Sequence, residues 1–255
     1  MKLIHYRQPI FNYAMNILLR LLNCKFRSSV ILLLLVFICS GPLQSRAHAE
    51  SSDPLVTLNR QVFIFNDYFD QLLVRPVAAS YLLFSPQSIR RGVSNFFNNI
   101  QDISIAVNNF LQLKIDDGAS DSARVLINST VGVAGLLDVA SGLGLDRHEE
   151  DFGQTLGHWG VGSGPYIFLP IFGASSLRDS LGLIFETAFN PINYHDEIGL
   201  RLALYLVDEI DFRSSLLGYD ELISGDRYLF VREAYIQSRN YLIRDGLGFD
   251  EFGEF

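Results

Sequence analysis

The sequence predicts an all-α fold with a single domain, residues 50–244. In most of this segment apolar residues recur at steps of three and four, which is the pattern of amphipathic helices. No series of alternating residues marks a set of β-hairpins, and no repeat or low-complexity stretch divides the chain. Hydrophobic residues make up 49% of the 255 residues and charged ones 19%. The chain can therefore bury a sizeable core, and its composition is not that of a disordered protein.

Residues 1–49 are predicted to be an export signal that is cleaved before Glu50. Ten apolar residues, 30–39, follow a basic segment and precede Gly41-Pro42, which breaks a helix. A helix of ten residues rises about 15 Å, half of the ~30 Å hydrocarbon core of a membrane. The small residues of Ala47-His48-Ala49 then form a cleavage site. An uncleaved membrane anchor is the alternative interpretation.

Both cysteines, Cys24 and Cys39, lie in this leader, so the mature chain is expected to contain no disulfide. Lipid attachment requires a small residue just before the cysteine, whereas Cys39 follows Phe37-Ile38. Lipidation at Cys39 is therefore not expected.

The charge is distributed unevenly along the chain. Residues 1–49 hold six basic groups and no acidic one, so the remaining residues carry 28 acidic and 14 basic groups. A negative balance of this size is the wrong sign for a nucleic-acid partner and for electrostatic attraction to anionic lipid. No nucleic-acid partner is expected.

The first helices are predicted from apolar spacing. One helix begins near Leu58 and is expected to end or kink at Pro76, because proline disrupts a helix interior. The same spacing continues from Ile89 to Ile100 and predicts a second helix.

Capping residues predict the elements that follow. Asp102 is a plausible N-cap for a third helix, which runs to Leu111. Asp116-Asp117-Gly118 has the composition of a turn, after which Ser120 is predicted to cap a helix that reaches Val131. Glycines between residues 132 and 144 then end or interrupt this helix.

Residues 146–174 form the least regular stretch, with six glycines and two prolines. Within it, Gly160-Val161-Gly162-Ser163-Gly164 neither follows a strand nor opens a helix, so a dinucleotide-binding loop is disfavoured. We interpret this segment, with Pro165 and Tyr166 after it, as a Gly/Pro hairpin. Its apolar and aromatic flank suits a lipid tail better than a nucleotide.

Regular structure resumes at Ser176-Leu177-Arg178-Asp179, a capping-box pattern that opens a helix ending before Pro191. The segment 197–211 is apolar on more than one side, so its helix is expected to be buried or to face lipid. A last helix is predicted for residues 231–242. The acidic tail, residues 245–255, is expected to be disordered.

No residue pattern predicts a catalytic or metal site. His148 begins a sequence like that of a zinc-binding helix, but Phe152 stands where the second histidine is needed. His158 and His195 are isolated in sequence, and no nucleophile motif accompanies them. The residues therefore predict no cofactor and no metal, and they leave an enzymatic role without a supporting motif.

Short motifs along the chain are similar to those of the VacJ/MlaA family of Gram-negative outer-membrane proteins, which maintain lipid asymmetry. The most specific is residues 150–179, EDFGQTLGHWGVGSGPYIFLPIFGASSLRD. The others, in the family's order, are Asp53-Pro54-Leu55, Asn59-Arg60, Phe65-Asn66, Arg75-Pro76-Val77-Ala78, Asn95-Phe96 with Asn99, residues 128–132, residues 135–140 and Val231-Arg232-Glu233-Ala234-Tyr235. The resemblance covers residues 53–242.

This resemblance implies more than the spacing does. It implies a ring of amphipathic helices lying in the inner leaflet of the outer membrane, on its periplasmic side, with a central amphipathic channel. Its members are not enzymes, and the resemblance implies the same for this chain. They remove mislocalised glycerophospholipids from the outer leaflet and pass them to a soluble periplasmic carrier. They work with a trimeric porin, and the Gly-rich hairpin, here Gly160 to Tyr166, acts as the gate of the channel.

Two other classes of function remain open. One is a periplasmic lipid-modifying enzyme that uses His158 or His195 as a base. The other is a purely structural envelope protein in which the Gly-rich hairpin is only a turn.

Overall fold

The computed structural model describes residues 53–222 and 225–246, and it confirms the all-α prediction except for one hairpin. The predicted export signal, Cys39 and most of the predicted tail lie outside the described residues. The helices are α1 (Val56–Phe69), α2 (Arg75–Phe84), α3 (Gln87–Leu111), α4 (Ile115–Thr130), α5 (Val139–Gly142), α6 (Phe152–His158), α7 (Leu177–Glu186), α8 (Ile198–Leu216) and α9 (Arg227–Ile243). Strands β1 (Tyr166–Leu169) and β2 (Gly173–Ser176) precede α7, and 3₁₀ turns occupy Pro191–Tyr194 and Leu217–Leu222.

The backbone passes from α1 to α2 without leaving the helical conformation. A π-helical turn, Asp70–Val74, joins the two helices, and the residues that flank it keep helical dihedral angles. Pro76 lies in the first turn of α2, where a helix tolerates the missing N–H group. The predicted helix end at Pro76 is therefore wrong, because the π turn accommodates the proline, whereas the alternative of a kink stays a prediction.

α3 is one helix of 25 residues, whereas the sequence predicted a break at Asp102. The side chain of Asp102 is buried and accepts hydrogen bonds from Arg124 Nε at 3.3 Å and Arg147 Nε at 2.5 Å. Asp102 therefore joins α3 to α4 and to the segment after α5 instead of capping a helix. Pairing with residues distant in sequence has overridden the capping preference.

α4 begins earlier than the sequence predicted. Asp116 and Asp117 lie in its first turn, and Ser120 lies inside it. Carboxylates near a helix N-terminus interact favourably with the helix dipole, so this acidic pair starts a helix instead of forming a turn. Gly118 leaves room for the ring of Phe110 on α3, which would lie 2.8 Å from a Cβ atom at this position.

The hairpin lies after the segment in which it was predicted. β1 and β2 pair antiparallel, with Tyr166 opposite Ser176 and Leu169 opposite Gly173. Residues 160–164 therefore form the connection from α6 to β1, and the hairpin prediction for them is wrong. β1 is apolar at all four positions, although its burial alternates, and β2 is buried at all four. Neither sequence therefore alternates between apolar and polar residues as a half-solvated strand does.

The predictions for the second half of the chain are confirmed more closely. The hydroxyl oxygen of Ser176 accepts a hydrogen bond from the Asp179 amide at 3.1 Å, and α7 begins at Leu177. α8 covers the predicted apolar helix and is both buried and exposed. Its buried residues are Arg201, Tyr205, Asp208, Asp211 and Ser214, and its exposed ones include Ile198, Leu200, Leu206 and Val207.

Apolar packing is confined to small clusters. One joins the hairpin to α9 through Tyr166, Phe168, Ala174 and Tyr228. A second, of Phe97, Ile192 and Tyr205, joins α3 to α8. Within the described ranges, no helix has both the length and the apolar content needed to span a bilayer.

Candidate functional site

The predicted site, Gly160 to Tyr166, has an exposed part and a buried part. Residues 160–164 are exposed, and the side chain of Trp159 before them is exposed as well. Tyr166, the first residue of β1, is buried in the apolar cluster below α9. The site is thus a surface loop that is anchored at its C-terminal end by a tyrosine ring.

Arg178 on α7 fixes the exposed loop from below. Its Nη1 donates to the Val161 carbonyl at 3.3 Å, and its backbone N–H donates to the Ser163 carbonyl at 3.1 Å. The Leu177 amide donates to the Pro165 carbonyl at 3.1 Å. The loop therefore follows the N-terminus of α7, because three of its carbonyl oxygens are bound there.

The glycines of the loop have different roles. Gly160 and Gly164 have φ of +85° and +67°, which favours glycine, and a Cβ atom on Gly164 would lie 3.1 Å from Leu177 Cβ. Gly162 has no positive φ, and nothing lies within 4 Å of a Cβ atom built on it. Gly164 is required by the backbone, whereas the structure places no such requirement on Gly162.

A cluster of acids and arginines lies behind this loop, between α6, α7 and α9. Arg239 Nη2 donates to Asp151 Oδ1 at 2.9 Å, and Arg239 Nε lies 2.8 Å from Asp179 Oδ2. Arg178 Nε donates to Asp179 Oδ1 at 2.8 Å. These cations outweigh the effect of burial and hold the pKa of the Asp179 carboxyl below its usual range.

Glu186 belongs to the same cluster, but no lysine or arginine within the described part of the chain forms an ion pair with it. Its carboxylate accepts a hydrogen bond from the Phe152 amide at 2.9 Å. Burial, together with the negative charge of Asp151, raises the pKa of Glu186 to about 8. The folded protein therefore holds this carboxyl protonated at neutral pH, when a glutamate in the unfolded chain is ionised.

The raised pKa of Glu186 predicts a specific pH dependence of stability. The folded state binds a proton that the unfolded state has released, so stability falls as pH rises from about 4.5 to about 8. Glu186→Gln should remove this dependence and leave the variant about 1–3 kcal/mol more stable than the wild type at pH 8, discounted because the residue is half-buried. The check is denaturant unfolding in detergent at pH 5 and pH 8. If the free energy of unfolding changes equally with pH in the wild type and in Glu186→Gln, the raised pKa of Glu186 is contradicted.

α1 is attached to the edge of the hairpin by two asparagines. Asn59 Nδ2 donates to the Tyr166 carbonyl at 3.0 Å, and its Oδ1 accepts from the Phe168 amide at 2.9 Å. Asn66, two turns further on, makes the same pair of contacts with the Leu169 carbonyl at 2.9 Å and the Ile171 amide at 2.8 Å. The side chains thus satisfy backbone groups that an edge strand leaves free. Sequence analysis did not find this role, although the spacing of seven residues places both on one helix face.

The polarity of the molecule is inverted relative to a soluble protein. Among the described residues, buried polar and charged side chains outnumber buried hydrophobic ones, with 20 against 12. Large apolar side chains are exposed on every long helix. Leu72 in the π-helical turn before α2 is 78% exposed, and Leu83 and Phe84 at the C-terminal end of α2 are 77% and 80% exposed. An exposed apolar surface of this kind is typical of proteins that contact lipid or a partner.

The structure does not bring the histidines into a reactive arrangement. His158 is exposed and packs against the Trp159 ring, and His195 Nδ1 accepts from the Glu197 amide at 3.1 Å. Over residues 53–222 and 225–246, no group of three or more His, Cys, Asp or Glu side chains is placed to hold a metal ion. The predicted absence of catalysis remains a prediction.

Comparison with known proteins places this arrangement in a family. The family model described as MlaA lipoprotein matches residues 51–242. The chain belongs to the MlaA lipoprotein family. Its relatives include the intermembrane phospholipid transport system lipoprotein MlaA of Escherichia coli, which is 37% identical over 201 residues, 76% of this chain and 80% of that protein.

Other MlaA relatives support the same assignment. An uncharacterized protein of Rickettsia bellii is 37% identical over 194 residues, 74% of this chain and 76% of that protein. A solved structure described as the structural basis for maintenance of bacterial outer membrane lipid asymmetry superposes with a TM-score of 0.69. It is 37% identical and covers 76% of this chain and 100% of its own. The helical fold is therefore the MlaA fold.

Proposed function

We propose that this protein is the outer-membrane component of an intermembrane phospholipid transport system. It takes mislocalised glycerophospholipids from the outer leaflet and passes them to a soluble periplasmic carrier, and so maintains lipid asymmetry. The E. coli relative is named as a lipoprotein of such a system. The observation that carries the proposal is the inverted polarity, with exposed apolar helices around a buried polar interior.

This polarity suits a ring that lies within the inner leaflet of the outer membrane. Apolar side chains on α1, α2 and α8 gain from burial among acyl chains, each contributing about 1.5–3 kcal/mol when fully buried. Polar and charged groups are costly in such a position unless they pair with one another, and here they do so in the interior. A channel through the ring can then offer polar groups to a head group while acyl chains are kept from water.

The experiment is deletion of the gene followed by complementation. Intact cells are treated with a membrane-impermeant amine reagent, which labels amino phospholipids only where they are exposed at the surface. Deletion should raise the labelled fraction, and the wild-type chain should restore it. An unchanged labelled fraction in the deletion strain would contradict the proposal.

We further propose that the loop Gly160 to Tyr166 gates the channel. Its glycine backbone and the exposed apolar side chains beside it suit contact with a mobile lipid tail. Catalysis has no part in this role. A trimeric porin is the proposed partner within the membrane, and chemical crosslinking in intact cells tests for it.

The loop glycines provide a matched pair of variants. Gly164→Ala should destabilise the protein by about 1–2 kcal/mol, because alanine is strained at positive φ and its methyl group crowds Leu177. Gly162→Ala should leave the unfolding midpoint unchanged but slow lipid transport, because it stiffens the open part of the loop. Denaturant unfolding in detergent measures the stability of each variant, and surface labelling of cells that carry it measures lipid transport. Normal transport by Gly162→Ala would favour a loop that is only a turn.

A further inference from the structure

Two neighbouring clefts with different linings lie between α2, α3 and α8. The first has a volume of about 350 Å³ and an apolar lining, to which Val77, Phe84, Val207 and Ile210 contribute. The second, of about 300 Å³ and here called the polar cleft, has a mixed lining in which the side chains of Arg90, Arg91, Ser94 and Asp211 stand beside apolar carbon surface. Both volumes are at the small end of ligand sites, about 300–1,000 Å³, so each fits part of an amphiphile.

Tyr81 and Asp211 form the boundary between the clefts. Tyr81 lines the apolar cleft, and its hydroxyl donates to Asp211 Oδ1 at 2.8 Å. Asp211 lines the polar cleft, and its Oδ2 accepts from Ser94 at 2.6 Å. The two spaces therefore lie on either side of the Tyr81–Asp211 pair, at adjoining positions on the surface.

The polar cleft has unused positive charge. Arg90 donates through Nη1 to the Leu82 carbonyl at 2.9 Å and to the Ser85 carbonyl, which are neutral groups. Arg91 is exposed and makes no hydrogen bond or ion pair with any residue that the structure describes. Both carboxylate oxygens of Asp211 are already bound to hydroxyl groups. An anionic group in this cleft therefore meets two arginines and one carboxylate, whose charges sum to a positive value.

We propose that the paired clefts bind one phospholipid, with an acyl chain in the apolar cleft and the phosphate at Arg90 and Arg91. Charge complementarity selects an anion, and the adjoining apolar cleft selects one that carries a hydrocarbon chain. Guanidinium groups suit phosphate because their N–H groups match its oxygens in pairs. This site rests on the proposed transport function and assigns that function a lipid-binding position.

Arg91 is the residue to change, because Arg90 also caps the end of α2. Arg91→Gln removes a charge without removing a contact within the protein. Val207→Trp fills the apolar cleft from a position that is 41% exposed, so the larger ring has room. Arg227→Gln is the control, since Arg227 is a half-buried arginine on α9 whose ion pair with Asp67 lies away from both clefts.

The test uses the purified full chain in detergent and a phosphatidylglycerol with a diazirine near the end of one acyl chain. Illumination should place adducts in peptides that contain residues 77–84 and 207–210. Arg91→Gln should weaken binding about fivefold, as expected for the loss of a charge-assisted phosphate contact. Val207→Trp should abolish these adducts, and Arg227→Gln should change neither result. Matching unfolding midpoints show that each variant is folded.

Competition separates the lipid from its head group. Unlabelled phosphatidylglycerol should displace the probe, whereas inorganic phosphate in large excess should not. Displacement by inorganic phosphate alone would overturn the lipid assignment. Adducts in other peptides, together with wild-type affinity of Arg91→Gln, would overturn the proposed site. The transport function would still stand if the deletion strain shows more labelled surface phospholipid. If deletion leaves the labelled fraction of surface phospholipid unchanged, the transport function itself is overturned.

Discussion

Arg239→Met should lower the free energy of unfolding by about 2–4 kcal/mol, because it leaves two carboxylates close together without their shared cation. The guanidinium binds Asp151 at the start of α6 and Asp179 in α7, and the Arg239 side chain is only 13% exposed. Methionine keeps much of the volume and removes the charge. Loss of this cation raises the pKa of both carboxyl groups, and protonation relieves the repulsion between them, so the loss of stability should shrink as pH falls.

Denaturant unfolding in detergent at pH 5 and pH 8 measures this effect. Arg227→Met is the control, since it breaks an ion pair with Asp67 in which the arginine is 41% exposed. Exposed pairs contribute about 0–1 kcal/mol. Similar losses of unfolding free energy in Arg239→Met and Arg227→Met would show that the cluster behind the loop is solvated, which contradicts a buried pairing of Arg239 with Asp151 and Asp179.

Gly182→Ala should be nearly as damaging, at about 3 kcal/mol, because two backbones meet at this position. A Cβ atom on Gly182 would lie 2.7 Å from the Gly153 nitrogen and 3.2 Å from its Cα. A backbone cannot turn aside as a flexible side chain can. α6 would have to move away from α7, which separates Asp151 from the cation that it shares with Asp179.

Gly199→Ala is the matched control for this substitution. Gly199 lies in the first turn of α8, and nothing stands within 4 Å of a Cβ atom built there. Alanine should leave stability unchanged or raise it by up to about 1 kcal/mol, since it favours a helix more than glycine does. The thermal midpoints of both variants in detergent decide the matter. A wild-type midpoint for Gly182→Ala would mean that the helices lie further apart.

Local signals account for what could be predicted. Ser176 caps α7 because a hydroxyl three residues before an amide acts over one turn, and α8 was recognised by its apolar spacing. Asp102 has the same local signal as a cap, but its partners Arg124 and Arg147 are 22 and 45 residues away. No spacing rule identifies such partners, so the break in α3 was predicted wrongly.

In the candidate site, too, local composition could be interpreted from the sequence, whereas contacts between distant residues could not. Composition marked residues 146–174 as irregular, but the hairpin predicted for residues 160–164 lies after them, between Tyr166 and Ser176. The attachment of the loop to Arg178, and the attachment of Asn59 to β1 across 107 residues, depend on the tertiary fold. The ring and its channel came only from family resemblance, because spacing describes single helices and not their arrangement.

The inverted polarity has a consequence for how stability varies with temperature. In a soluble protein, unfolding hydrates apolar surface and raises the heat capacity by about 12–15 cal/mol/K per residue. Here much of the apolar surface already faces outward, and the interior releases polar groups such as Asp102 and Asn109. Hydration of polar groups lowers the heat capacity. The stability curve of this protein should therefore be flatter than that of a soluble helical domain of equal length, with little tendency to cold denaturation.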